Sequence, residues 1–210
     1  MPSSALHRIG LEGGITMTAS PDSKMKILLA AKKMFAEQGF DATSVRQICE
    51  EAGVNLALVS YHFGGKENVF YAIFEQFFPL EKLDMLEQET LDPVQGLRLV
   101  VTQTLLFFDQ EPELHRIMER EFSGLSPRAE KLTRFTFPVW HKVRAILEEG
   151  RRKELFQFDS LDYALLLVLS ALIFPKKRSF LYRLNTEGPY PIDQIIHFTW
   201  QFVYGGLRAK

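Results

Sequence analysis

The residues from Ser44 to Lys66, SVRQICEEAGVNLALVSYHFGGK, predict two short helices joined by a tight turn. Ser44 is a favourable N-cap, and Gln47 three residues later completes a capping box, so a helix is expected to begin there. Gly53 supplies the unusual backbone conformation that a sharp stop needs. Asn55 can cap a second helix, which the Gly-Gly pair ends. This is the pattern of a helix-turn-helix.

The first of the two helices has an apolar face with the helical spacing i, i+3, i+4 and i+7, formed by Val45, Ile48, Cys49 and Ala52. We therefore predict that Cys49 is a small core residue. Because it is the single cysteine of the chain, a disulfide or a thiolate metal site within one chain is excluded. The cysteine usage suits a reducing cytoplasm.

In a helix-turn-helix the second helix lies in the DNA major groove, with its first residues at the base edges. The outward positions here offer small apolar groups for thymine methyls and donors for phosphates. The outward positions are some of Leu56, Ala57, Ser60, Tyr61 and His62, and Lys66 lies just beyond them. An ordinary helical hairpin inside an all-α enzyme would show the same pattern, so the pattern alone leaves both interpretations open.

A longer set of marks surrounds this motif. They are Gly39-Phe40, Thr43-Ser44-Val45, Ile48, Ala52-Gly53-Val54, Tyr61-His62-Phe63, Lys66 and Phe70. In this order they closely resemble the N-terminal DNA-binding domain of the TetR/AcrR family of bacterial transcriptional regulators, and the resemblance covers roughly Ser20 to Phe78. One departure is Ser60, because many members carry a tyrosine there and thus a longer side chain that reaches phosphate.

The resemblance also carries DNA-binding positions onto this chain. They correspond to Ser44, Arg46, Leu56, Ala57, Ser60, Tyr61, His62 and Lys66. We predict that four motif residues contact the DNA backbone and so position the protein on it. They are Thr43, Ser44, Tyr61 and Lys66. Arg46 and the start of the second helix are predicted to read bases. The resemblance further implies a homodimer, usually a repressor, that binds double-stranded operator DNA with palindromic symmetry.

The charge of the chain does not by itself indicate nucleic-acid binding. The formal net charge is −1, and the segment from Ser20 to Phe70 contains six basic and six acidic residues. Any affinity for DNA must therefore come from the direction in which individual charges and helix N-termini point.

The rest of the chain has no strand signature and predicts an all-α protein. Helix starts are expected at Ser20-Pro21, Lys66, Asp92-Pro93, Pro112, Ser126-Pro127, Asp159-Ser160 and Pro191. We expect Pro138 to kink or divide the helix that ends at Gly150. The predicted organisation is a disordered N-terminal arm at 1–19, a three-helix helix-turn-helix DNA-binding domain with a connecting helix at 20–78, and a C-terminal helical ligand-binding and dimerisation bundle at 79–210.

Two C-terminal segments, 160–174 and 191–205, are unusually apolar. The first is too short for the ~20 residues that a bilayer requires, and it contains Asp162, so we predict no membrane span. A helix that is apolar on most sides of a soluble protein lies between its own core and a partner. In the resembled family the last two long helices form a dimer interface, which this pattern matches. The predicted interface residues are Leu167, Ser170, Ala171, Ile195, Phe198 and Phe202.

The sequence contains no catalytic motif, no phosphate or dinucleotide loop and no histidine pair at metal spacing, so we predict no enzymatic activity, no cofactor and no metal. The family relationship implies an unknown small-molecule effector, and the many phenylalanines suit an apolar or aromatic one. Candidate pocket residues are Phe107, Phe108, His115, Arg116, Trp140 and Tyr163. Each of them is by itself as well explained as an ordinary core or surface residue.

The segment from Lys66 to Phe78 is the expected lever between such a pocket and the DNA. Its first turn adjoins the second motif helix, and its far end points toward the remaining helices. We therefore expect a cytoplasmic, ligand-responsive regulator. Two alternatives remain open at this point: a regulator controlled by a protein partner, and an all-α enzyme or small-molecule carrier in which the motif is incidental.

Overall fold

The computed structural model describes residues 21–79, 92–124, 126–173, 187 and 189–208. Over these residues the chain forms nine α-helices and no strand. The helices are α1 Pro21–Gln38, α2 Val45–Ala52, α3 Leu56–Phe63, α4 Lys66–Phe77, α5 Pro93–Gln110, α6 Pro112–Ser123, α7 Pro127–Arg152, α8 Leu161–Ile173 and α9 Ile192–Gly206. The all-α prediction is confirmed. The predicted arm at 1–19 and the Ser20 cap lie outside the described residues, as do residues 80–91.

Local chemistry fixes the two motif helices as the sequence predicts. The Ser44 hydroxyl accepts a hydrogen bond from the Gln47 backbone N–H at 3.2 Å, and the Gln47 side chain accepts one from the Ser44 N–H at 2.8 Å. Gly53 ends α2 in the left-handed conformation with φ of 64°. The Asn55 side chain then caps α3 by accepting from the Ala57 N–H at 2.9 Å. Every predicted cap between these two helices is therefore present.

A first hydrophobic core holds α1 to α4 together, because α1 packs against α2, α3 and α4. Its largest fully buried side chains are Phe35, Phe70 and Phe74. The ring centroid of Phe70 lies 5.6 Å from that of Phe35 and 5.4 Å from that of Phe74. Burying one such phenylalanine contributes about 1.5–3 kcal/mol. This core gives the motif a rigid support.

The first core does not end with α4. It continues into α5, α6 and α7 through Phe107, Phe108, Leu114, Ile117, Met118, Leu132 and Phe135. The helix-turn-helix unit is thus packed onto three helices of the rest of the chain. Among these contacts, α6 packs against α1, and α7 contacts α4 through the rings of Phe135 and Phe74.

A second hydrophobic core joins α5, α7, α8 and α9. In it α7 runs as a single helix past Pro138, so Pro138 does not divide this helix, and the kink stays a prediction. It also continues two residues beyond Gly150, to Arg152. Gly150 is needed for packing, because a Cβ there would lie 2.0 Å from a ring carbon of Phe156. Among the described helices none is long and apolar enough to cross a membrane.

Candidate DNA-binding surface

The second motif helix, α3, presents one anchored and one exposed face. Val59 and Phe63 are buried in the first core. Leu56, in the first turn, is 54% exposed, and Tyr61, on the side opposite the buried residues, is 75% exposed. Ala57 and Ser60 are exposed as well. A helix with large unburied side chains next to a helix-turn-helix turn has the shape that enters a major groove.

The start of α2 adds an exposed charged group and an exposed polar group to the motif. Ser44 is exposed as the N-cap, and the Arg46 side chain is 85% exposed. Arg46 forms an ion pair with Glu50 one turn away, at 3.0 Å between Nε and Oε1. Since such an exposed pair contributes only about 0.2–1 kcal/mol, the guanidinium can exchange it for DNA at little cost.

The predicted contact between the Thr43 side chain and the DNA backbone is wrong. Thr43 is only 1% exposed, and its hydroxyl donates a hydrogen bond to the Gly39 carbonyl at 2.7 Å. The hydroxyl thereby closes the turn that connects α1 to α2. The hydroxyl therefore stabilises the fold. The sequence alone cannot separate this role from phosphate binding, because both require a hydroxyl.

Lys66 also has partners inside the protein. Its ammonium donates to the carbonyls of Phe40 at 2.9 Å and Thr43 at 2.8 Å, and it lies 4.2 Å from the centroid of the Phe40 ring. Two of its three N–H donors are therefore engaged with the α1–α2 turn. Sequence reasoning missed this role, because no spacing signal connects residue 66 to carbonyls more than twenty positions earlier.

His62 is half-buried at the end of α3, with Nε2 2.8 Å from the Ser23 hydroxyl on α1. This contact fixes the C-terminal turn of α3 to the first helix. A DNA contact by His62 must therefore involve the remaining part of its ring. The buried thiol of Cys49 lies on the inner side of α2, where burial raises its pKa above the ordinary value.

The six predicted effector-binding residues are not brought together. Phe107, Phe108 and His115 are buried in the first core, with the Phe108 and His115 rings 4.3 Å apart. Trp140 packs against the second core. Arg116 is exposed, and Tyr163 is 69% exposed on the outer side of α8. The prediction of a shared pocket is corrected accordingly: only the first three form one cluster.

The predicted interface residues separate into outward and inward groups. Leu167 is 65%, Phe198 46% and Phe202 76% exposed, and Ser170 is exposed too. Ala171 is half-buried. Ile195 is only 9% exposed and belongs to the second core, so its assignment to the outer face is wrong. Leu166, 57% exposed, was missed.

In the part of the chain that the structure describes, no group of three or more His, Cys, Asp or Glu side chains is placed to hold a metal ion. What is assembled instead is a rigid helix-turn-helix with an exposed second helix, attached through a shared core to a larger helical bundle. This combination defines a DNA-binding regulator class rather than an isolated helical hairpin.

Comparison with known proteins leads to the same class. The model for bacterial regulatory proteins of the tetR family matches residues 27–73, from within α1 to within α4. The HTH-type transcriptional repressor NicS of Pseudomonas putida is 28% identical over 167 residues, covering 77% of this chain and 79% of NicS. The HTH-type transcriptional activator FasR of Mycolicibacterium smegmatis is 23% identical over 189 residues, covering 87% of this chain and 81% of FasR.

The crystal structure of HlyIIR, a hemolysin II transcriptional regulator, is similar with a TM-score of 0.69 and 30% identity, covering 84% of this chain and 96% of that one. The chain belongs to the tetR family of bacterial regulatory proteins. It is a DNA-binding transcriptional regulator, and the predicted relationship is confirmed. Regulators of this family bind operator DNA and form dimers.

Proposed function

We propose that the chain acts in the cytoplasm as a homodimeric repressor that binds a palindromic operator through α3 and is released by a small, largely apolar or aromatic effector. The observation that carries the proposal is the simultaneous exposure of two surfaces: the polar and apolar face of α3, and a strongly apolar face on α8 and α9. The name of NicS supports repression, whereas FasR is named an activator. No enzymatic activity is part of the proposal.

On the DNA side, we assign the reading of bases to Arg46 and to the first turn of α3, with Leu56 and Ala57 against thymine methyls. We assign contacts with the DNA backbone to three exposed residues that carry hydroxyls: Ser44, Ser60 and Tyr61. His62 and Lys66 contribute from the edge, Lys66 through the N–H that the α1–α2 turn leaves unused. Thr43 supports this surface from within the turn.

For assembly, we assign the apolar face of α8 and α9 to a two-fold interface. This dimer face consists of Tyr163, Leu166, Leu167, Phe198 and Phe202, each 46% exposed or more. Five large apolar side chains on two contacting helices form a patch that monomeric proteins rarely leave in water. Since a two-fold interface uses the same patch on both subunits, this face of one chain can pack against the same face of a second copy.

For switching, we assign the lever to α4, with residues 79–210 as the responding unit. The far end of α4 is joined to the bundle by aromatic contacts: Phe78 lies 5.2 Å from Phe107 and 5.9 Å from Phe135 between ring centroids. Ion pairs add to them, from Lys131 to Glu67 at 2.9 Å and from Arg134 to Glu75 at 2.8 Å. An effector that displaces α7 from α5 therefore pulls α4 and changes the spacing of the two α3 helices.

The proposal is tested by three linked experiments on the full chain. A DNA sequence selected from a random duplex library should be palindromic and bind two chains. Small molecules co-purifying with the protein should be identified by mass spectrometry and returned to the apo protein. The expected result is loss of operator binding on return. A selected site without symmetry contradicts the dimer model. A release that occurs only on addition of another protein contradicts the small-molecule effector.

A further inference from the structure

The turn between α1 and α2, residues 39–44, is contacted from two separate parts of the molecule. Its central ring, Phe40, has the Lys66 ammonium of α4 4.2 Å from its centroid and the Arg128 guanidinium of α7 4.1 Å from its centroid. Phe35 and Phe70 surround the same ring at centroid distances of 5.4 and 5.3 Å. Phe40 is thus one of the residues at which the DNA-binding unit contacts the C-terminal bundle.

The guanidinium of Arg128 is held in a fixed position. Its Nε donates to the Glu121 carboxylate at 3.0 Å, and Glu121 is only 3% exposed. The hydroxyl of Ser126, the N-cap of α7, donates to the same carboxylate. A second nitrogen of Arg128 lies 3.4 Å from Asp41 in the turn. This corner between α6 and α7 therefore orients Arg128 before any DNA is bound.

A second arginine of the same corner supports the neighbouring end of α1. Arg120 lies 3.4 Å from the carbonyls of Phe35 and of Glu37. Gly39 allows this approach, because a Cβ at that position would lie 2.7 Å from Arg120 Nη1. The α6–α7 corner consequently contacts the chain on both sides of Gly39, immediately before α2 begins.

We propose that Arg128 is a positioning residue for operator binding, which acts through Phe40. The turn leads directly into Ser44, the N-cap of α2, so the place of Phe40 sets the start of α2 and, through it, the orientation of α3. This inference rests on the proposed operator-binding function and adds to it a second connection, besides α4, between the bundle and the DNA. An effector that moves the α6–α7 corner withdraws Arg128 from Phe40 and loosens the motif helices.

Arg128 is unsuited to contact DNA itself. Its side chain is 15% exposed, and it is already engaged by Glu121, Asp41 and the Phe40 ring. A direct phosphate contact would add about one to the salt slope, which is the slope of the logarithm of affinity against the logarithm of salt concentration. A positioning role leaves that dependence unchanged, so the two roles are separable in one titration series.

The test is a double-mutant cycle with Arg128→Lys and Phe40→Leu. The first variant keeps the charge beside Glu121 but loses the planar guanidinium, and the second keeps an apolar side chain but loses the ring. Affinity is measured at several salt concentrations for the operator duplex selected by the parent protein and for a scrambled duplex. Arg144→Lys is the matched control, because Arg144 pairs with exposed Asp162 at 2.6 Å, away from the turn.

Each single variant is expected to lower operator affinity by about 3- to 30-fold, with the salt slope unchanged. The double variant should bind no more weakly than the weaker single variant, and the control should bind like the parent. Affinity for the scrambled duplex should stay the same. Thermal unfolding of each variant shows whether it is folded, so that a loss of affinity is not caused by unfolding.

Three results would overturn the inference while the parent still binds its operator: unchanged affinity in both variants, fully additive losses, or a salt slope that falls by about one in Arg128→Lys. A parent that selects no operator at all would instead overturn the proposed function, and the inference with it.

Discussion

Replacing Lys66 with methionine keeps most of the side-chain volume and removes the ammonium from the α1–α2 turn. The two hydrogen bonds that it donates, to the Phe40 and Thr43 carbonyls, join the first residue of α4 to the turn before α2. Hydrogen bonds to charged groups contribute about 1.5–3 kcal/mol each. Because the site is half-exposed, water can replace part of the lost interaction, and we expect a total loss of about 2 kcal/mol.

For a chain of this length that loss corresponds to a decrease in melting temperature of about 4–8 °C. The measurement is thermal unfolding followed by circular dichroism, with operator and non-specific DNA titrations on the same samples. Affinity for both kinds of DNA should fall together. Lys26→Met is the control, because Lys26 forms only an exposed ion pair with Asp22 and should change stability little.

A Lys66→Met protein with the stability of the parent, but with a lower salt slope for DNA binding, would refute this reasoning. It would mean that Lys66 acts on phosphate and that its contacts with the turn carbonyls contribute nothing measurable.

Three further predictions follow from the surface and the core. Arg46→Ala should relax base preference by about 1–3 kcal/mol at one operator position, measured with single-base operator variants; unchanged preference would contradict base reading. Phe202→Asp and Leu167→Asp should dissociate or aggregate the dimer in sedimentation, whereas dimeric variants would place the interface elsewhere. Cys49 should react slowly with iodoacetamide at pH 8, because burial raises its thiol pKa and lowers the thiolate fraction, and rapid native alkylation would contradict this.

The local elements of the fold were predictable because their signals lie within a few residues of one another. The Ser44 capping box and the Gly53 stop both use partners within four positions. Steric and hydrogen-bonding preferences of single residues decide such features. The helix-turn-helix and its exposed face could therefore be derived from sequence with correct boundaries.

The roles of Thr43 and Lys66 were not predictable in the same way. Their partners are backbone carbonyls, which every residue has, so nothing in the side-chain pattern distinguishes a turn-closing group from a DNA-binding one. The contact of Arg128 with Phe40 joins residues far apart in the sequence and depends on how α7 packs against the motif unit.

The orientation of α8 and α9 was ambiguous for a different reason. In α8 both sides are apolar: Val168 is 3% exposed and its neighbour Leu167 is 65% exposed. Hydrophobic periodicity identifies a core side only where the other side is polar. Tyr163 was therefore predicted as a candidate pocket residue and Ile195 as an interface residue, whereas the tertiary packing leaves Tyr163 exposed and buries Ile195 in the second core.

The most direct test of the proposed regulator is the stoichiometry and symmetry of its complex with DNA. The protein is allowed to select its site from a random duplex library, and the complex is weighed by sedimentation while the protected bases are mapped. We expect two chains on one palindromic duplex, with half-site centres about one helical turn or more apart. A single chain on an asymmetric site, or a library from which no sequence is enriched, would contradict the account.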